Sequence, residues 1–175
     1  MSQTTLDIKE PGLNILPPGV ERHVVNAGGL TGLQIFPDDE IEIINDEGNQ
    51  ICEIICFDKN GKSELGILGQ KENSKKNFIK EILKKKDEGS LVTNLQLKKR
   101  NLDINKSKSS ILFDDKTPSG EIIKIKSKDK CYVIFSAPQN DMLVSEQNPS
   151  SDLTILVKRA KIVNDKELSI IPDPV

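Results

Sequence analysis

The sequence predicts a mainly β domain: an antiparallel sandwich or barrel-like fold with one peripheral amphipathic helix. Three observations carry that expectation. Short runs of Ile, Leu, Val and Phe recur along the chain, separated by Gly-, Pro-, Asn- and Asp-rich turns at the roughly eight-to-twelve-residue spacing of antiparallel β folds. Several runs alternate apolar with polar residues, as Ile123 and Ile125 do with Lys124 and Lys126. Only the stretch 75–88 carries a clear helical period. A chain of 175 residues fits one domain and can bury a sizeable core without disulfides or metals.

Residues 1–20 read as an extended lead-in, broken by Pro11-Gly12 and Pro17-Pro18-Gly19. The single β-rich domain is expected over 21–171, and 172–175 reads as a linker-like C-terminus. Arg22 to Val25 and Leu33 to Phe36 are short strands about the Asn26-Ala27-Gly28-Gly29 turn. Asp38 to Asp58 then reads as a hairpin, two Ile-rich runs joined by a tight Asp46-Glu47-Gly48 turn in which Gly48 supplies a positive φ. Asp58-Lys59-Asn60-Gly61 is another turn.

The helix is expected from Lys75 to Glu88, capped by Asn73 or Ser74 and ended by Gly89. Its apolar stripe is Phe78, Ile79, Ile82 and Leu83, with lysines filling the rest. Leu91, Thr93, Leu95 and Leu97 alternate with more polar neighbours and predict a strand, and Lys98 to Ser110 a mobile loop. Further strands are expected at Ile111–Phe113, Glu121–Ile125, Cys131–Phe135, Met142–Val144 and Leu153–Val157, with a closing hairpin of Ile162-Val163 and Leu168–Ile171. No internal repeat is visible.

Composition limits the function classes. Lys+Arg 25 against Asp+Glu 27 gives a net charge of −2, which argues against a nucleic-acid binder. With no Trp and one Tyr, the core must be aliphatic. Three cysteines, all inside apolar runs, point to buried reduced thiols and a cytoplasmic location. No signal-peptide pattern opens the chain, and no apolar run approaches the roughly 20 residues that span a bilayer, so no membrane partner is expected.

Few residues suggest chemistry. His23 is the single histidine, and no partner for it is identifiable from the sequence, which favours a structural or surface role. Cys52 and Cys56 share one face of a strand with Cα atoms roughly 13 Å apart, too far to chelate one ion, so no metal site is expected. The acidic clusters Asp38-Asp39-Glu40, Asp46-Glu47 and Asp114-Asp115 flank turns, where carboxylates mostly shape the backbone. Gly28-Gly29 with Gly32 matches no phosphate-loop template. Lys98-Lys99-Arg100 with Lys106 and Lys108 offers a phosphate-binding alternative whose affinity would fall with salt.

One resemblance goes further. The run Phe36-Pro37-Asp38-Asp39 through Ile41-Glu42-Ile43-Ile44-Asn45-Asp46-Glu47-Gly48-Asn49-Gln50 resembles the signature of the urea carboxylase-associated domain family, also found upstream of glycine-cleavage T-protein-like aminomethyltransferases. Val24-Val25-Asn26-Ala27-Gly28 echoes its lead-in, and Ser136-Ala137-Pro138-Gln139-Asn140-Asp141 a second stretch. The acid that closes the signature is Glu53 here, where the family has Asp. The His- and Cys-rich stretch that some members carry is replaced by Gly61–Gln70 and the Lys-rich helix.

The resemblance implies Asn49, Gln50, Glu53, Asn140 and Asp141 as ligand-binding candidates, with the catalytic residues unassigned. It implies an accessory, non-catalytic domain serving a transferase domain in the same or a partner chain, a homo-oligomer also being compatible. No cofactor is expected in this segment, which has no folate-binding motif; tetrahydrofolate belongs to the parent system. The alternative is a hydrolase or lyase domain using carboxylates near Glu53.

Overall fold

The computed structural model describes residues 16–139 and 150–161. Their eight strands form two four-stranded antiparallel sheets: β1 (Val20–Val25), β8 (Leu153–Lys158), β3 (Glu40–Asn45) and β6 (Glu121–Lys126) in one, β2 (Leu30–Ile35), β7 (Cys131–Ser136), β4 (Cys52–Asp58) and β5 (Ser109–Leu112) in the other, each in that order. The sheets stack as an open sandwich, so the barrel alternative is corrected. The strands expected at Met142–Val144 and within 162–171 lie outside the described residues.

Strand parity sorts the side chains. Cys52, Ile54 and Cys56 of β4 and Cys131, Val133 and Phe135 of β7 point between the sheets, where they meet Ile41, Ile43, Leu153, Ile155 and Val157. The intervening residues Ile55 and Phe57, Tyr132 and Ile134 point the other way. They form a second core with Leu30, Ile79, Ile82, Leu83 and Leu97 beneath two helices, α1 (Phe78–Leu83) and α2 (Glu88–Lys99). β4 and β7 are thus buried on both faces.

Four expectations are corrected here. The Asp38–Asp58 segment is not a hairpin, because β3 and β4 belong to different sheets. Its turn does contain Gly48 at φ 80°, but Asn49 donates its N–H to the Thr117 carbonyl at 2.8 Å. A Cβ on Gly48 would lie 2.7 Å from that carbonyl, so the turn is clamped by the β5–β6 loop and passes the chain between sheets. The single helix is two helices. The stripe of Ile79, Ile82 and Leu83 is buried in α1 as its period implies, but Asn77 caps that helix, and Asp87 starts a new one by accepting from the Ser90 N–H at 2.8 Å. Gly89, read as a stop, lies in the first turn of α2.

The strand expected at 91–97 is also α2. Its period-two pattern yields to capping and to a helical set of inward residues, Ser90, Thr93 and Leu97, which leaves Leu91, Val92 and Leu95 outside. Finally, 98–110 is not a loop throughout: it holds the end of α2, a 3-10 turn at Ile104–Lys106 and the start of β5. Among the described residues no helix is long and apolar enough to cross a membrane.

Candidate functional site

The two stretches that carry the family resemblance meet in space. Gln50 is fully buried just before β4, and its amide Nε2 donates to the carbonyls of Ile51 and Pro138, each at 2.8 Å. Its Oε1 accepts from the Ser151 N–H at 2.9 Å, while the Asn45 side chain donates to the Gln50 carbonyl at 2.7 Å. Gln50 therefore ties the start of β4 to the segments that follow β7 and precede β8. Asn49 adopts a left-handed φ of 59° in the adjoining turn. Asn140 and Asp141 lie outside the described residues.

Glu53 faces the helices rather than the space between the sheets. Its two oxygens accept from the first N–H groups of α1: Oε2 from Phe78 at 3.0 Å and Oε1 from Ile79 at 2.8 Å. Burial pushes its carboxyl above the usual carboxylate range, opposed by those two backbone donors. This arrangement completes the N-terminus of α1, where unpaired donors would otherwise be buried. The Ser136 hydroxyl in turn donates to the Glu53 carbonyl at 3.0 Å.

The remaining candidates divide clearly. Asp39 is buried and accepts from the Phe36 and Ala160 N–H groups and from Arg159 at 2.7 Å. Arg159 also forks onto Glu21 at 2.9 and 3.0 Å, tying the end of β8 to β1 and to the turn before β3. His23 pairs with Glu21 at 3.0 Å, and His23 first, then Arg159, hold the Glu21 carboxyl down at about 2 against the opposing effect of burial. Asp46 accepts from Thr154, and Asp114 from Lys116 and Thr117, so both shape loops. The three cysteines are free and buried; burial pushes the Cys52 thiol up to about 12. Cys56 and Cys131 touch across β4 and β7, and the Cys56 thiol is raised chiefly by its hydrogen bond to Cys131. No cluster suited to a metal ion occurs among the described residues.

Among the described residues, open space lies along α2 over β2 and β7. Three adjoining hollows of about 310, 380 and 480 Å³ share Tyr132 as a common wall. Gly32 makes room for it: a Cβ there would lie 2.1 Å from the Tyr132 hydroxyl. Burial raises that phenol to about 12, so it stays neutral. Arg100 lies over the Tyr132 ring at 4.5 Å and donates to Gln34 Oε1 at 2.5 Å. Sequence reading missed this groove, because Tyr132, Gly32 and Gln34 are single residues in unremarkable strands; the only hint was the lone tyrosine.

The fold and the site define a β-sandwich module with one helix-covered sheet, whose most distinctive polar residues serve its own backbone. No protein-family model matches the chain. Over 167 residues, 95% of its length, it is 30% identical to the trimethylamine-oxide aldolase of Ruegeria pomeroyi. The chain spans about one fifth of that curated relative, 21% of its length. It is therefore similar to one segment of a larger enzyme.

Proposed function

We propose that this chain is an accessory, non-catalytic module of a larger enzyme of the trimethylamine-oxide aldolase kind, docked through α2 onto the enzyme's catalytic part. The observation that carries the reading is the placement of Glu53. Both carboxylate oxygens are buried against backbone N–H groups of α1, so the acid of the polar signature stabilises a helix and presents no free oxygen to a substrate. The similarity to one fifth of a larger enzyme supports the multidomain setting. The outward residues of α2, Leu91 and Leu95, supply an exposed apolar face suited to docking.

A finer form of the reading, supported by the resemblance around Phe36–Gln50, is an urea carboxylase-associated module serving a T-protein-like aminomethyltransferase domain. Tetrahydrofolate would then bind that domain and not these residues.

The test is a chimera in which this chain replaces the matching stretch of the aldolase. Consumption of trimethylamine N-oxide, followed by the NMR methyl signal, is expected to persist, and the isolated chain is expected to leave the signal unchanged. Glu53→Gln in the chimera is expected to alter kcat by no more than about twofold, whereas loss of a general acid or base costs about a hundredfold or more. Turnover by the isolated chain, or a hundredfold loss in a folded Glu53→Gln chimera, would overturn the accessory reading.

A further inference from the structure

We propose that the hollow at the C-terminal end of α2 binds a small polyanion carrying two or more phosphate or carboxylate groups. Four cationic side chains line this cavity of about 310 Å³: Lys59 from the turn after β4, Lys99 and Arg100 from the end of α2, and Lys130 from the turn before β7. One carboxylate, Asp58, shares the wall, and its Oδ1 is held by the N–H groups of Asn60 and Lys62 at 2.8 and 2.9 Å. Among the described residues, no carboxylate pairs with Lys59, Lys99 or Lys130.

Lysines in the last turn of a helix are commonplace, because they offset its dipole. That accounts for Lys99 alone. Lys59 and Lys130 come from separate turns, and like charges brought together repel unless an opposite charge joins them. The cavity wall also holds a fixed charge. Arg100 is held flat by its stacking on Tyr132 and its bonds to Gln96 and Gln34, so its positive charge stays in place beside the lysines. The volume falls at the lower end of the range for small-molecule sites, which suits a compact ligand better than a polymer. This site does not involve Glu53, and its test uses the isolated chain, so it stands or falls separately from the accessory reading.

The test is isothermal titration of the 175-residue chain with pyrophosphate and with citrate, using acetate as the singly charged control. At least one polyanion is expected to bind about tenfold or more tighter than acetate and to weaken about tenfold when NaCl rises from about 20 to about 500 mM, because screening shortens the reach of each charge. Whichever of the two binds tighter separates a phosphate from a carboxylate ligand. The pair Lys59→Gln with Lys130→Gln is expected to weaken binding at least about tenfold without lowering the melting midpoint, since both side chains are exposed. If the pair misfolds, Lys99→Gln serves in its place. Absence of binding by both polyanions, or undiminished binding to the folded variant, would overturn the site.

Discussion

The two sheets of this sandwich have the same number of strands and opposite fates. Among the described residues the β1-β8-β3-β6 sheet is covered on one side only, and β6 is exposed at Glu121, Ile122, Lys124 and Lys126. The β2-β7-β4-β5 sheet carries α1 and α2 on its far side, and every residue of β7 is buried. The second core beneath those helices is what creates the groove, the Glu53 cap and the basic hollow. These features gather where a sheet is covered, because there side chains from three layers converge.

The largest expected effect tests that contrast directly. Phe57 is 1% exposed under the helices, whereas Ile122 on the open sheet is 44% exposed. Phe57→Ala is expected to cost about 3–5 kcal/mol in urea unfolding, and Ile122→Ala less than about 0.5 kcal/mol. Equal losses would mean that the second core adds little to the fold.

Next in size is Gly32→Ala, expected to cost about 1–3 kcal/mol because its methyl would collide with the Tyr132 hydroxyl. Adding Tyr132→Phe is expected to recover part of that loss, which would locate the strain at the phenol. No recovery in the double variant would assign the cost to the strand backbone instead.

Glu53→Gln is expected to cost about 1–3 kcal/mol, since an amide group replaces one acceptor facing a buried N–H. Its pH signature should oppose that of Glu21 on the open sheet. Glu21 titrates at about 2 when folded against an ordinary 4.5, so its stabilisation is present above pH 4.5 and is lost as pH falls towards 2. Glu53 is raised when folded, so its contribution is full below 4.5 and is lost as pH rises through the folded value. Unfolding midpoints from pH 2 to 7 should flatten at the acid end in Glu21→Gln and above pH 4.5 in Glu53→Gln. Identical profiles for both variants would refute the opposed assignment.

The smallest effect on stability should come from Leu91→Asp with Leu95→Asp, within about 0.5 kcal/mol, because both side chains lie on the outer face of α2. In the aldolase chimera the same pair is expected to weaken docking, read as loss of a single cooperative melting transition. A large loss in the isolated chain would place that face inside this domain.

Several elements were legible from residues alone. β6, β7 and β8 announced themselves through alternation or β-branched content, and the Ile79, Ile82, Leu83 stripe identified α1. The failures share a cause. Leu91, Thr93, Leu95 and Leu97 satisfy a period of two, but the Asp87 cap and the packing of Thr93 and Leu97 on the second core override it. The Gly48 turn has hairpin chemistry, yet its hydrogen-bond partner is Thr117, about seventy residues onward in the chain, and no local pattern records such a partner. In the same way, Gln50 was visible as a candidate while its carbonyl partner at Pro138 was not.

The order in which the chain visits the sheets also sets how it must fold. Consecutive described strands change sheets at every step except from β4 to β5, and even that pair is separated by both helices. Val25 at the end of β1 pairs with Leu153 near the other end of the described chain. Among the described residues the eight strands therefore pair with one another only across long stretches of chain, and much chain entropy must be surrendered before those ladders bring any return. Folding on the millisecond-to-second scale follows, with unpaired Ile-rich strands waiting in the open meanwhile.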